Sequence, residues 1–107
     1  MSVLEEVLME EYDRSLRISR AIESENDSLP RGSIRRRIIN GRAYFYLQYR
    51  EGSHVRSKYL KADEVEEIRL RLERRRENDA ALKAQAKSRA QIVKALGKEY
   101  IDEHSGA

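Results

Sequence analysis

Asn40-Gly41 is a strong short-range hairpin signal, because both residues tolerate the positive φ that a type I′ turn demands. It separates two stretches of period-two alternation: the β-branched, basic residues 33–39 and the aromatic residues 42–49. A second signal, Arg50-Glu51-Gly52, precedes a third alternating stretch at residues 53–60. Read as a three-residue loop with its glycine in the left-handed position, it completes a three-stranded antiparallel β-meander over residues 32–60.

Turns of known length fix the register, and register fixes the faces. Ile39 is expected opposite Arg42, Arg37 opposite Tyr44, and Arg35 opposite Tyr46. In the second hairpin Gln48 is expected opposite His54, Tyr46 opposite Arg56, and Tyr44 opposite Lys58. One face then carries Ile34, Ile38, Ala43, Phe45, Leu47, Tyr49, Val55 and Tyr59, and is the expected core face. The other carries Arg35, Arg37, Arg42, Tyr44, Tyr46, Gln48, His54, Arg56 and Lys58. Arg36 interrupts the apolar face, where an edge strand lets its stem snorkel outward and discourages edge pairing.

The flanking segments read as helices. Over residues 1–24, Ser2 is placed to cap and Glu5 and Glu6 lie in the first turn, where the helix dipole favours negative charge. Leu4, Leu8, Tyr12 and Leu16 recur every four residues, with Val7 and Ile22 near the same stripe. Residues 24–29 are polar, and Pro30-Arg31-Gly32 marks a break. A long C-terminal helix is expected over residues 63–101, with Asp63, Glu64, Glu66 and Glu67 loading its start. Val65, Ile68 and Leu72 form the stripe expected to cover the sheet. Continuing at 3–4 spacing gives Arg75, Asp79, Leu82, Ala86, Arg89, Val93, Leu96 and Tyr100, too charged a series for a self-sufficient coiled coil. The distal half is therefore expected to pack on the N-terminal helix or on a second chain, which makes the physical case for a homodimer or a partner protein. The expected fold is α+β, with all three parts in one domain.

A chain of 107 residues suits one domain, and its charge is unusually dense, at 38% of residues. That charge is sorted. Residues 1–29 hold three basic against eight acidic residues, a balance of −5, whereas residues 30–62 hold nine basic against Glu51 alone, a balance of +8. Residues 63–107 hold ten of each, so the net +3 conceals a local field able to attract a polyanion. The competing explanation is that the acidic N-terminal segment pairs with the basic one.

Catalysis finds little support. With no cysteine there is no disulfide framework, thiol nucleophile or cysteine-ligated zinc. His54 is expected between Gln48 and Arg56, neither a base nor an orienting acid, and His104 lies in the terminal Asp102-Glu103-His104. Glu5-Glu6, Glu10-Glu11 and Glu66-Glu67 read as helix surface with nearby arginines, and Gly32, Gly41 and Gly52 are used by turns, not by a phosphate loop. No metal, cofactor or enzymatic activity is expected. No apolar run approaches membrane-spanning length and the acidic N-terminus is unlike a signal peptide, so a cytoplasmic protein without membrane association is expected.

Arginine alternating with tyrosine on one sheet face suits nucleic acid. Guanidinium groups bridge phosphates or grip guanine edges, and tyrosine stacks on bases or hydrogen-bonds to phosphate. The expected function is non-enzymatic nucleic-acid binding, DNA first, through Arg35, Arg37, Arg42, Tyr44, Tyr46, Arg56 and Lys58. The alternative is a protein-interaction module, such as a phage-borne regulator or inhibitor, docking its helices or basic sheet on an acidic protein surface. Arg74-Arg75-Arg76 either extends the phosphate footprint or pairs with Glu73 and Glu77.

The runs Leu29-Pro30-Arg31-Gly32-Ser33-Ile34, Asn40-Gly41, Tyr44-Phe45-Tyr46-Leu47-Gln48-Tyr49-Arg50-Glu51-Gly52 and Val55-Arg56-Ser57-Lys58-Tyr59 resemble a family of small uncharacterised bacterial and phage proteins. The resemblance implies a helix before the hairpins and a charged helix after them, and it brings no established activity. More loosely, residues 32–73 are similar to the arm-type DNA-binding domain of phage tyrosine recombinases, a three-stranded sheet followed by a helix that reads DNA with its sheet. That similarity rests on Gly32-Ser33-Ile34, the hairpin glycines, the basic third strand and the alternating helix start, and no recombination chemistry is expected of these 107 residues.

Overall fold

A computed structural model describes residues 2–97 and shows an α+β protein. Helix α1 (Val3–Asn26) precedes strands β1 (Ser33–Ile39), β2 (Arg42–Glu51) and β3 (His54–Leu60), and helix α2 (Val65–Leu96) follows. The strands form one antiparallel sheet in the order β1-β2-β3. The chain divides into two compact units, one of residues 26–77 and the other built from the chain before and after them. The proposed end of the second helix at residues 98–101 lies outside the described residues.

In the unit of residues 26–77, the first hairpin turns on Asn40 at φ 51° and Gly41 at φ 79°, as its sequence requires. Ile39 pairs with Arg42, Arg37 with Tyr44 and Arg35 with Tyr46. The core is Leu47 and Leu60 of the sheet against Val65 and Leu72 of α2, with Ile34, Phe45, Tyr49 and Ile68 packed around them. Each fully buried aliphatic side chain of this kind contributes about 1.5–3 kcal/mol, so this small cluster is enough to hold α2 on one face. Residues 62–64 form a turn before α2, in which the Glu64 amide donates to the Lys61 carbonyl (2.9 Å) and the Lys61 amide donates to Glu64 Oε1 (3.1 Å). The carboxylate thus reaches back over the helix start as in a capping box. Arg75 donates to the carbonyls of Asn26 and Leu29 at 2.7 and 2.9 Å, and Arg71 to that of Ser28, fastening the connection between α1 and β1.

The second hairpin corrects the expected register. Glu51 pairs with His54, leaving Gly52-Ser53 as a two-residue loop with positive φ at Gly52 alone, the pattern of a type II′ turn. Tyr49 pairs with Arg56, Leu47 with Lys58, Tyr46 with Tyr59 and Phe45 with Leu60. The pairing differs from expectation by three residues, and an odd displacement turns every β3 side chain to the other face. Val55 and Tyr59, expected in the core, are 55% and 52% exposed, and among the described residues Leu60, at 2%, is the most deeply buried hydrophobic side chain.

In the other unit, α1 lies against the distal part of α2. Ser2 Oγ accepts from the Glu5 amide at 3.2 Å, so the expected cap is present. The contact with α2 is not centred on the apolar stripe. Ser15 and Ser19 are its buried members, while Leu4 and Val7 are 67% and 47% exposed. The Ser15 hydroxyl donates to Gln85 Oε1 (2.7 Å), and Arg89 Nη1 donates to the hydroxyls of Ser15 (3.0 Å) and Ser19 (2.8 Å). Asn78 Nδ2 donates to Glu25 Oε1 at 3.0 Å. Among the described residues no buried side-chain nitrogen or oxygen lacks a partner. Arg75 and Arg89, two of the charged positions that break the α2 stripe, are thereby put to use as polar contacts.

Candidate nucleic-acid interface

Strand alternation and the observed pairing place Arg35, Arg37, Arg42, Arg50, Tyr44, Tyr46, Tyr59 and Gln48 on the sheet face opposite the core. The four arginines and Tyr59 are exposed, and Tyr44, Tyr46 and Gln48 are half-buried. No carboxylate occurs among the sheet residues of this face, so nothing within it neutralises the arginine field.

The tyrosines form one cluster. The rings of Tyr46 and Tyr59 meet edge to face, with centroids 5.8 Å apart and planes at 67°. Tyr44 joins at 6.4 Å from Tyr59. The Arg37 guanidinium lies 5.5 Å from the Tyr46 ring centroid in a cation–π contact. Arg35 Nε donates to Gln48 Oε1 at 2.9 Å, which extends Arg35 across β2 and uses one of its five donors.

At the end of the sheet where β1 begins, a depression of about 370 Å³ is lined by Arg31, Ser33, Gln48, Tyr49 and Arg50 among others, none of them acidic. Gly32 lies in its wall at φ +121°, and a Cβ there would stand 2.2 Å from the Gln48 carbonyl oxygen. Only glycine lets the chain approach β2 this closely at the edge of the basic face.

Five of the seven residues assigned from sequence share this face: Arg35, Arg37, Arg42, Tyr44 and Tyr46. Arg56 and Lys58 do not, because the β3 register turns them to the side of Leu47 and Tyr49. Arg56 Nε lies 3.5 Å from Glu51 Oε2 in an ion pair, and His54 is opposite Glu51 instead of Gln48. Sequence reasoning missed Tyr59 and Arg50 as members of the face. The signal for both was the dipeptide Gly52-Ser53, a recognised two-residue hairpin loop that competes with the three-residue reading. Of the basic triplet, Arg74 pairs with Glu77 at 3.9 Å and Arg75 binds backbone carbonyls.

Among the described residues no group of three or more His, Cys, Asp or Glu is arranged to hold a metal ion, and no helix is long and apolar enough to cross a membrane. His104 lies outside the described residues. Comparison with curated proteins and with solved structures finds no match for the chain. Residues 8–70, which run from α1 through the whole sheet into α2, match the family described as a domain of unknown function, DUF6788, and the chain belongs to that family.

Proposed function

We propose that this protein binds nucleic acid, without catalysis, through the arginine–tyrosine face of its sheet. The observation that carries the reading is the grouping of Arg35, Arg37, Arg42 and Arg50 beside Tyr44 and Tyr46, both in ring contact with Tyr59, on a face without a carboxylate. Arginine supplies planar, permanently charged forks for phosphate, and the rings supply surfaces for bases. An antiparallel face left to water usually mixes the two signs of charge; this one carries a single sign.

The test is a fluorescence-anisotropy titration against DNA and RNA at several salt concentrations. The reading expects saturable binding whose log affinity falls linearly with log salt, the slope counting the phosphates engaged. Flat titrations at low salt for every nucleic acid would remove it.

One observation favours a second reading, a protein-interaction module that docks through its helices. Val3, Leu4 and Val7 leave an apolar strip of α1 exposed, at 77%, 67% and 47%. Sedimentation of wild type and Leu4→Glu over a range of concentrations tests self-association, which is expected to weaken in the variant. A wild-type mass fixed at 12.6 kDa throughout would leave this strip to a different partner.

A further inference from the structure

We infer that the ligand of the sheet face is a single-stranded polynucleotide, held with its bases on the tyrosine cluster and its phosphates on the arginines of β1 and the ends of β2. The inference rests on the nucleic-acid reading above and adds the form of the ligand.

The layout of the face is its basis. Pairing sets Tyr46 beside Tyr59 in one cross-strand row, flanked on the edge strand by Arg35; the next row holds Tyr44, flanked by Arg37. Arg42 closes one end of the face, and Arg50 with Arg31 closes the other at the 370 Å³ depression. Aromatic surface therefore runs from the middle of β2 to the β3 edge, and cationic charge lies along β1 and at the two ends of β2. A duplex keeps its phosphates outermost, its base faces hidden in the stack and only base edges in its grooves. Tyrosine rings cannot stack on a paired base unless it is flipped out, which costs a few kcal/mol. An unpaired strand offers its base faces directly, and its flexible backbone can follow a charged edge.

The rings are also prepared for that use. The edge-to-face contact of Tyr46 with Tyr59 holds each ring in place before any ligand arrives, so less side-chain freedom is lost on binding. Arg37 already occupies a position against Tyr46 that a base takes in the complex, and from β1 its guanidinium can turn outward to a phosphate. Gln48, held at Oε1 by Arg35, keeps its amide nitrogen as a donor toward a base edge. Same-face positions along a strand are about 6.7 Å apart, so the row of Arg35 and the row of Arg37 offer successive contacts along one extended backbone.

The experiment uses the full chain and four fluorescent ligands: one mixed-sequence strand as DNA and as RNA, the same DNA annealed to its complement, and an abasic DNA of equal length and phosphate count. Single strands are expected to bind at least tenfold tighter than the duplex, and the abasic strand to lose roughly tenfold or more. Tyr59→Ala, at an exposed position, and Tyr46→Leu, which keeps apolar bulk on the central strand, are each expected to weaken single-strand binding by about 5- to 100-fold while leaving the circular dichroism unchanged. Tyr59→Phe is expected to retain binding, because it keeps the π-face. The DNA and RNA arms report the sugar preference. Duplex binding as tight as single-strand binding, with the tyrosine variants unaffected, overturns this inference and leaves nucleic-acid binding standing. Absence of binding to all four ligands at low salt overturns the nucleic-acid reading itself.

Discussion

Tyr46 and Tyr59 stand directly opposite one another on β2 and β3, with ring centroids 5.8 Å apart. That pair exists because the second hairpin closes with two residues, Gly52 and Ser53, between partners Glu51 and His54. One decision at a turn thus moves an aromatic ring from the core face to the basic face and sends Arg56 and Lys58 the other way. Strand pairing with period two makes the composition of both faces depend on loop length.

The face assignment predicts which cations matter. Arg35→Ala with Arg37→Ala is expected to weaken nucleic-acid binding about tenfold or more at moderate salt. It should also flatten the log–log salt slope by about 1.4 on a single strand, or about 1.8 on a duplex, if each arginine engages one phosphate. Arg56→Ala with Lys58→Ala removes the same formal charge from the other side of the sheet and is expected to change the slope by less than half as much. Equal effects from the two double variants would mean that binding follows net charge and not this face.

Gly32 is expected to be the least replaceable residue of the motif. At Gly32→Ala the new methyl group meets the Gln48 carbonyl oxygen at 2.2 Å, and the backbone sits at φ +121°, so both packing and conformation oppose it. A loss of about 3 kcal/mol or more is expected in denaturant unfolding. Gly41→Ala provides the contrast: φ is +79°, nothing lies within 4 Å of the added Cβ, and the cost is expected near 1–2 kcal/mol. Comparable losses at the two positions would contradict the close approach at Gly32.

Core membership on β3 separates just as cleanly. Leu60 is 2% exposed beneath α2, so Leu60→Ala is expected to cost about 2–5 kcal/mol, while Val55→Ala at 55% exposure should stay within about 0.5 kcal/mol. The midpoint of urea denaturation reads both. A large loss at Val55 with little at Leu60 would restore the register expected from a three-residue loop.

These residues mark what the sequence disclosed. Asn40-Gly41 admitted one turn, so the β1–β2 register and the places of Arg35, Arg37, Tyr44 and Tyr46 were legible. Arg50-Glu51-Gly52-Ser53 admitted two, and the choice depends on whether Leu60 or Tyr59 packs under α2, which is a tertiary matter. The α1 stripe was legible as a pattern, but a periodic apolar series does not say which flank meets the neighbouring helix. Ser15 and Ser19 took that place because Gln85 and Arg89 could satisfy them.

Arg89 is expected to govern the stability of α1 more than that of the sheet. Its guanidinium donates to both serine hydroxyls and toward the Ser15 carbonyl, so Arg89→Ala removes the shared donor of a buried polar seam. Such a loss costs about 1–3 kcal/mol where the remaining groups find no substitute. Hydrogen exchange is expected to accelerate across α1 by roughly tenfold or more while amides of β2 keep their protection, because the affected contacts lie in the unit built from the chain termini. Ser19→Ala should produce a smaller change. In the double variant the two effects should fall short of their sum, since each removes part of the same hydrogen bond. Strict additivity, or loss of protection in β2 equal to that in α1, would show that the seam does not hold the helices together as a local unit.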